Sequence, residues 1–281
     1  MGIKTYLKDP LIVIPVMIIV VFVIVAVVPG LIAPEDPLQQ NLRERLKSPD
    51  WSMEEGKHFW GTDQFGRDIF SRVMWGTSIS ILIGLTASTA AVFLGVPLGL
   101  SAGWYGGWFG RTIMRIVDMQ LAFPFLVLAI AIVATIGPST TTIVLILAIW
   151  NWAPFARVSY TMTSSIKERE YIQAARAIGC SGLRIMSFHI LPGLVGPLLV
   201  LWSTIAGVMI VVEGSLSFLG FGVQPPTPSW GTILSEGQGY IDTAWWIATF
   251  PGFAIMLIVL AFNALADGLA RGDIRDSIEV S

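Results

Sequence analysis

The sequence predicts an all-α polytopic membrane protein with six transmembrane helices. Three observations carry that expectation. Charged residues make up 13% of the 281-residue chain while hydrophobic residues reach 54% and the mean hydropathy is +0.72; an ordinary soluble domain carries about 25% charge. The apolar residues arrive in uninterrupted runs close to the ~20 residues that a helix needs to cross a bilayer. The charges collect in the few loops between those runs.

The runs are Leu11–Val28, Ser78–Ala102, Ile113–Ile136, Thr140–Val158, Leu194–Phe218 and Ala244–Leu265. Lys4 and Lys8 precede the first, as they would in a signal peptide. Its apolar stretch exceeds the roughly 7–15 residues of a signal core, so an uncleaved first helix is expected. With the amino terminus inside, eleven basic residues fall on the inner side: Lys4, Lys8, Arg111, Arg115, Arg157, Lys167, Arg169, Arg176, Arg184, Arg271 and Arg275. Six fall outside, all in one loop: Arg43, Arg45, Lys47, Lys57, Arg67 and Arg72. The excess of positive charge predicts both termini in the cytoplasm of a multi-pass membrane protein. The predicted organisation is a cytoplasmic start and first helix (1–33), an extracytoplasmic loop with an interfacial helix (34–77), a five-helix domain (78–268) containing a cytoplasmic loop (164–193), and a cytoplasmic tail (269–281).

Composition also excludes. A net charge of -2 gives no support for nucleic-acid binding, and one cysteine, Cys180, cannot form an intramolecular disulfide. His58 and His189 lie in different segments, so no histidine-based metal site is expected. The acids Asp118, Glu213 and Asp267 fall in or beside spans but near their ends, where water or a capping partner is close. "GLTASTAAVFLGVPLGLSAG" (Gly84–Gly103) has the small residues that let spans approach closely.

The segment "SSIKEREYIQAARAIGCSGLRIMSFHILPG" (Ser164–Gly193) reads as two short helices. Ser165 with Glu168 fits a capping box, so the first is expected to start near Ile166. Tyr171, Ala175 and Ile178 recur on one face, widened by Ile172 and Ala174. Gly179 falls where a left-handed cap ends the helix. Ser181 can cap the second, and Pro192 is expected to end it before the next span. Such a unit either lies on the membrane surface as a connector or docks its apolar face into a partner's groove.

At these residues the chain resembles the permeases of ABC importers, whose EAA loop reads Glu-Ala-Ala, three residues, Gly, nine residues, Ile-x-Leu-Pro. Ala174, Ala175, Gly179, Leu191 and Pro192 fall in register; Gln173 replaces the Glu and His189 the Ile. "HFWGTDQFGRDIFSRVMWGTSISI" (His58–Ile81), "EGSLSFLGFGVQPPTPSWG" (Glu213–Gly231) and "FPGFAIMLIVLAFNALADGL" (Phe250–Leu269) resemble the dipeptide/oligopeptide/nickel branch, its C-type subunit in particular. The tail "ARGDIRDS" departs from the family's usual ending.

The resemblance implies a type I ABC importer permease fold and a particular assembly. A second homologous permease completes the pore, two cytoplasmic ATPase subunits that bind ATP and Mg hold the two EAA loops, and an extracytoplasmic binding protein delivers substrate. It implies import of di- or oligopeptides, with nickel chelates or oligosaccharides as alternatives. The only Gly-Lys pair, Gly56-Lys57, is followed by His58, so the chain has no P-loop and is not expected to be an enzyme or to hold a cofactor or metal.

Two further stretches are candidates. In "GTDQFGRDIFSR" (Gly61–Arg72), Asp63 is expected to cap a short interfacial helix containing Gly66, Arg67 and Asp68, serving as an anchor or as a binding-protein contact. In "LSFLGFGVQPPTPSWG" (Leu216–Gly231), Phe218, Gly220, Pro225, Pro226 and Trp230 mark either an outer gate or binding-protein contact, or a rigid loop. Two rivals need features the sequence does not display. An ion-coupled transporter wants paired interrupted helices and buried ion sites, and an intramembrane enzyme wants a nucleophile–base pair or metal cluster.

Overall fold

The computed structural model describes residues 9–51 and 58–279, of which 272–279 are described in backbone only. Lys4, Lys8, Glu54, Glu55 and Lys57 lie outside the described residues. The α-helices of eight residues or more are α1 (Pro10–Val27), α2 (Ile69–Tyr105), α3 (Gly107–Ala122), α4 (Phe125–Ile136), α5 (Thr140–Ile166), α6 (Glu170–Ala177), α7 (Leu191–Phe218), α8 (Trp230–Gly237) and α9 (Trp246–Glu279). Among the described residues the only extended pairing is a lone bridge between Thr62 and Asp68.

Five helices are long and apolar enough to cross a membrane: α1, α2, α5, α9 and the continuous stretch Gly182–Phe218 that ends in α7. The expected third span, Ile113–Ile136, is broken. α3 and α4 qualify only together, bent by 88°. Pro124 has no N–H to continue α3 and pushes Phe123 to an extended ψ of 140°. Other boundaries also differ from expectation. α2 begins at Ile69 rather than Ser78. α5 runs past Val158 to Ile166, and α9 runs past Leu265 to Glu279. No separate interfacial helix forms at 61–72: Asp68, not Asp63, caps α2 by accepting from the Ser71 N–H at 2.7 Å.

α2 is the central helix. It runs parallel to α5, with Gly95 against Trp152 and Gly103 against Thr163. It is antiparallel to α7, where Gly84 meets Ile210 and the Trp202 indole donates to Thr89 Oγ1 at 3.3 Å. α1 crosses its start, where the Ser78 hydroxyl donates to the Ala26 carbonyl at 2.6 Å. One end of the bundle, the cap end, carries residues 29–51, 58–68 and 219–245. The other, the loop end, carries residues 105–107 and 167–190.

The α2–α5 seam is backbone on backbone. A Cβ at Gly99 would overlap the Ala156 carbonyl, and one at Gly95 the Trp152 carbonyl. Replacing Gly99 by Leu is therefore expected to lower the melting temperature of the purified protein, overpacking alone costing about 1–3 kcal/mol. Leu at Gly239, where a Cβ meets nothing within 4 Å, is expected to leave it unchanged. A Gly99→Leu protein that melts like the parent would contradict the seam.

Candidate functional site

At the cap end the chain before α2 folds onto itself around buried charge. Asp63 is fully buried and accepts from Arg67 Nε at 2.5 Å and from an Arg72 guanidinium nitrogen at 2.6 Å. The same two arginines reach Glu236 of α8, at 2.7 and 2.5 Å. Two acids and two guanidinium groups therefore balance one another and tie α8 to the start of α2. Apolar contacts support the tie. Trp60 stacks on Phe250 with centroids 4.4 Å apart, and the Trp246 indole donates to the Thr62 carbonyl at 3.0 Å. Gly66 has φ +72° and no room for a Cβ beside Asn41.

His58 forms a second cluster, its ring bonded to Asp68 at 3.1 Å and to Glu44 at 3.2 Å. Burial pulls its pKa down, but the bonds to Glu44 and Asp68 outweigh that and leave it above the ordinary 6.5. Bonds from His58 and Lys47 hold the Glu44 carboxyl down at about 2.

Below the cap, Glu213 of α7, expected near a span end with water or a capping partner close, is fully buried and has serine partners. Its carboxyl accepts from Ser80 of α2 at 2.9 Å and from Ser217 at 2.8 Å. Ser217 Oγ in turn accepts the Val223 N–H at 3.1 Å, and Ser80 Oγ accepts the Trp230 N–H at 3.3 Å. One acid thus fastens the return of the chain from α7 into α8. Trp230 is buried, its indole donating to the Val73 carbonyl at 3.2 Å. Ser229 caps α8. Phe218, Gly220 (φ +83°), Pro225 and Pro226, the last two joined by a cis bond, lie on the exposed rim of this turn.

At the loop end, α6 begins at Glu170 behind Arg169, with no side-chain cap. The expected Ser165–Glu168 box does not form, because α5 continues through that position. The face divides. Ile172 and Ala175 are buried against the bundle, while Tyr171, Ala174 and Ile178 are exposed. Gly179 has φ +88°, and a Cβ there would meet nothing within 4 Å. Ser181 accepts the Arg184 N–H at 3.4 Å and starts the turn Gly182–Ile185. Pro192 does not end that turn. The chain passes through a π-helical turn, Met186–Ile190, straight into α7, where Pro192 occupies the first turn and needs no N–H partner. Gln173 donates to the Glu168 carbonyl at 3.1 Å; His189 is half-buried and Leu191 packs on the main core.

Three contacts that the sequence did not single out hold this unit to α2. Lys167 Nζ donates to the Gly103 carbonyl at 3.0 Å. The Arg176 guanidinium lies 4.2 Å from the Trp104 ring centroid, and Gly182 packs against the same indole. What remains exposed is an apolar tip of Ile178, Leu183 and Phe188, at 82, 72 and 74% exposure.

A helical bundle with a charge-locked cap and a projecting helix–turn–helix tip is the architecture of a multi-pass membrane permease. The chain belongs to the family of binding-protein-dependent transport system inner membrane components, whose profile matches residues 95–272. It is 41% identical to the dipeptide transport system permease protein DppC of Alkalihalophilus pseudofirmus, over 98% of this chain and 88% of the relative. It is 38% identical to the di/tripeptide transport system permease protein DppC of Pseudomonas aeruginosa, over 88% and 80%. It is 43% identical to the glutathione transport system permease protein GsiD of Escherichia coli, over 79% and 72%.

Two outcomes follow at the cap. Arg72→Met strands Asp63 and Glu236 beside one guanidinium and is expected to destabilise the protein by about 3–5 kcal/mol, read as a lower melting temperature. The second concerns pH. His58, with its raised pKa, contributes fully below pH 6.5 and loses its contribution as pH rises through its folded value. Glu44 contributes above 4.5 and loses it as pH falls through about 2. Raising the pH above 6.5 should lower the melting temperature of the parent more than that of His58→Gln; parallel curves would contradict the assignment.

Proposed function

We propose that the chain is one of two pore-forming permease subunits of an ATP-driven importer of short peptides. A second homologous permease completes the pore. Two ATPase subunits holding ATP and Mg dock on the 164–193 loop from the cytoplasm, and an extracytoplasmic binding protein delivers cargo at the cap end. The distribution of Lys and Arg supports this orientation, with both termini cytoplasmic. The peptide cargo is supported by the relatives, whose names specify dipeptides, di/tripeptides and glutathione.

The observation that carries the coupling is the exposed apolar tip of Ile178, Leu183 and Phe188 around Gly179. Three large apolar side chains on a tight turn beyond the bundle need a cover, and a partner's groove supplies one. The loop is also mechanically well placed. It grips the end of α2 through Lys167, Arg176 and Gly182, and it continues without a break into α7. Closure of the two ATPases would move both helices together and shift the pore between outward and inward access.

Gly179→Arg tests this reading. The empty space around Gly179 leaves room for the side chain within this chain, so membrane insertion should survive with some strain at φ +88°. Co-purification with the ATPases and uptake should both fall. A variant that inserts, retains the ATPases and imports normally would overturn the docking. Mass spectrometry of what the binding protein carries is expected to find short peptides; a sugar or metal chelate would overturn the cargo and leave the coupling intact.

A further inference from the structure

The broken span opens a polar face partway through the membrane. Asp118 of α3 and Arg157 of α5 form an ion pair whose side chains are 65 and 46% exposed. The sequence puts Arg157 on the inner side because the span is expected to end at Val158. In the longer α5 it lies about 13 Å inside the loop end at 1.5 Å rise per residue, and Asp118 lies about 16 Å along α3. Two residues on, Gln120 spans the gap to α5. Its amide donates to the carbonyls of Ile149 at 3.0 Å and Trp150 at 2.5 Å, and its oxygen accepts the Trp152 indole N–H at 2.8 Å. Pro154 explains the free acceptor: with no N–H it cannot pair with the Trp150 carbonyl four residues back. Beyond Gln120, all of residues 121–124 are exposed, including the non-helical elbow at Phe123.

Neither feature is compatible with acyl chains. Non-helical backbone at membrane depth persists only where protein covers it or water fills the space beside it. A charged pair at that depth faces a bundle interior or an aqueous cavity. A tight helix seam would be built from small residues, as the Gly95–Gly99 seam of this chain is; this face instead carries Asp118, Gln120 and Arg157 beside the large exposed side chains of Met119, Leu121 and Phe123.

We propose that this face lines the translocation pathway and that Asp118 and Arg157 form a charge latch on it. A peptide with a charged side chain displaces the latch by exchange, a side-chain carboxylate taking Arg157 or a side-chain ammonium taking Asp118. The identity of the cargo rests on the peptide-importer reading; the contact with water rests on this chain's geometry alone.

The test uses the assembled complex in proteoliposomes, with Cys180→Ser as background. Phe123→Cys is exposed to a charged methanethiosulfonate on both sides of the membrane, with and without ATP, beside Val20→Cys on the open face of α1. Modification of Phe123→Cys but not Val20→Cys in either nucleotide state is expected; no modification of Phe123→Cys in both states overturns the pathway assignment. Uptake of Ala-Glu and Lys-Ala then reads the latch. Arg157→Gln should lower Ala-Glu uptake more than Lys-Ala uptake, and Asp118→Asn the reverse. Each change is expected to be roughly tenfold to a hundredfold, the worth of one charge-assisted hydrogen bond. A merely structural pair would depress both peptides alike, and equal losses overturn the latch. If the parent complex imports neither dipeptide while Phe123→Cys still reacts, the peptide reading fails and the water-lined face stands.

Discussion

Everything else in the fold hangs on the backbone contact between α2 and α5. Apolar side chains gain little by leaving lipid for a neighbouring helix, so association inside a bilayer depends on close packing and on hydrogen bonds. Gly95 and Gly99 let α5 carbonyls approach to where a Cβ would stand. This contact fixes the parallel register of the two helices. It thereby fixes where Pro154 lies, and which carbonyls Gln120 must reach. It also holds the far half of α2 at the height where Ser80 meets Glu213 of α7. A glycine seam, a proline kink and a buried acid are thus successive consequences of one approach distance.

The polar groups added to that frame specify geometry more than they stabilise it. Removing Asp63, Arg67, Arg72 and Glu236 from water costs several kcal/mol per ion before any attraction is counted. What the arrangement secures is uniqueness: two carboxylates and two planar guanidinium groups can pair in very few geometries. Glu213 acts in the same way. Its bonds to Ser80 and Ser217 set the level at which the Gly- and Pro-rich return can descend, and Gly231 has no room for a side chain beside Gly214.

The apolar runs made the fold class and most spans legible, because period and length are local properties. The errors arise where two local signals compete for one residue. Asp63 ahead of the apolar side of Ile69, Phe70, Val73 and Met74 looks like a helix cap, but two arginines claim its carboxylate and Asp68 caps α2 instead. Ser165 and Glu168 form a capping pattern that the longer helix α5 overrides. Pro192 reads as a stop because its place in the first turn of α7 depends on the π-helical turn before it, which no local pattern displays. Pro124 does mark the break in the third span and is readable within its apolar run. The contacts of Trp104, Glu236 and Gln120 are not readable at all. Each joins residues far apart in sequence, and each depends on how the helices pack.

The two ends of the bundle are fastened by different physics, and that difference bears on how the chain can move. The cap is held by buried charge, stacked rings and the Glu213 network, all of which are costly to stretch. The loop end is held by one lysine on a carbonyl, one cation over an indole, and Ile172, Ala175, Ile185, Met186 and Ile190 buried in the main apolar core, contacts that can slide without separating charge. α2 runs between them as a single helix, so force applied at Trp104 reaches Ser80 and Arg72 with little loss. The cap cannot yield cheaply. Displacement must then appear in the elements that α2 does not lock, which are α4 and the elbow before it, packed chiefly on α5. Those are the elements beside Asp118 and Arg157. Of the spanning segments, α4, the second half of the broken span, is the one least fastened to α2.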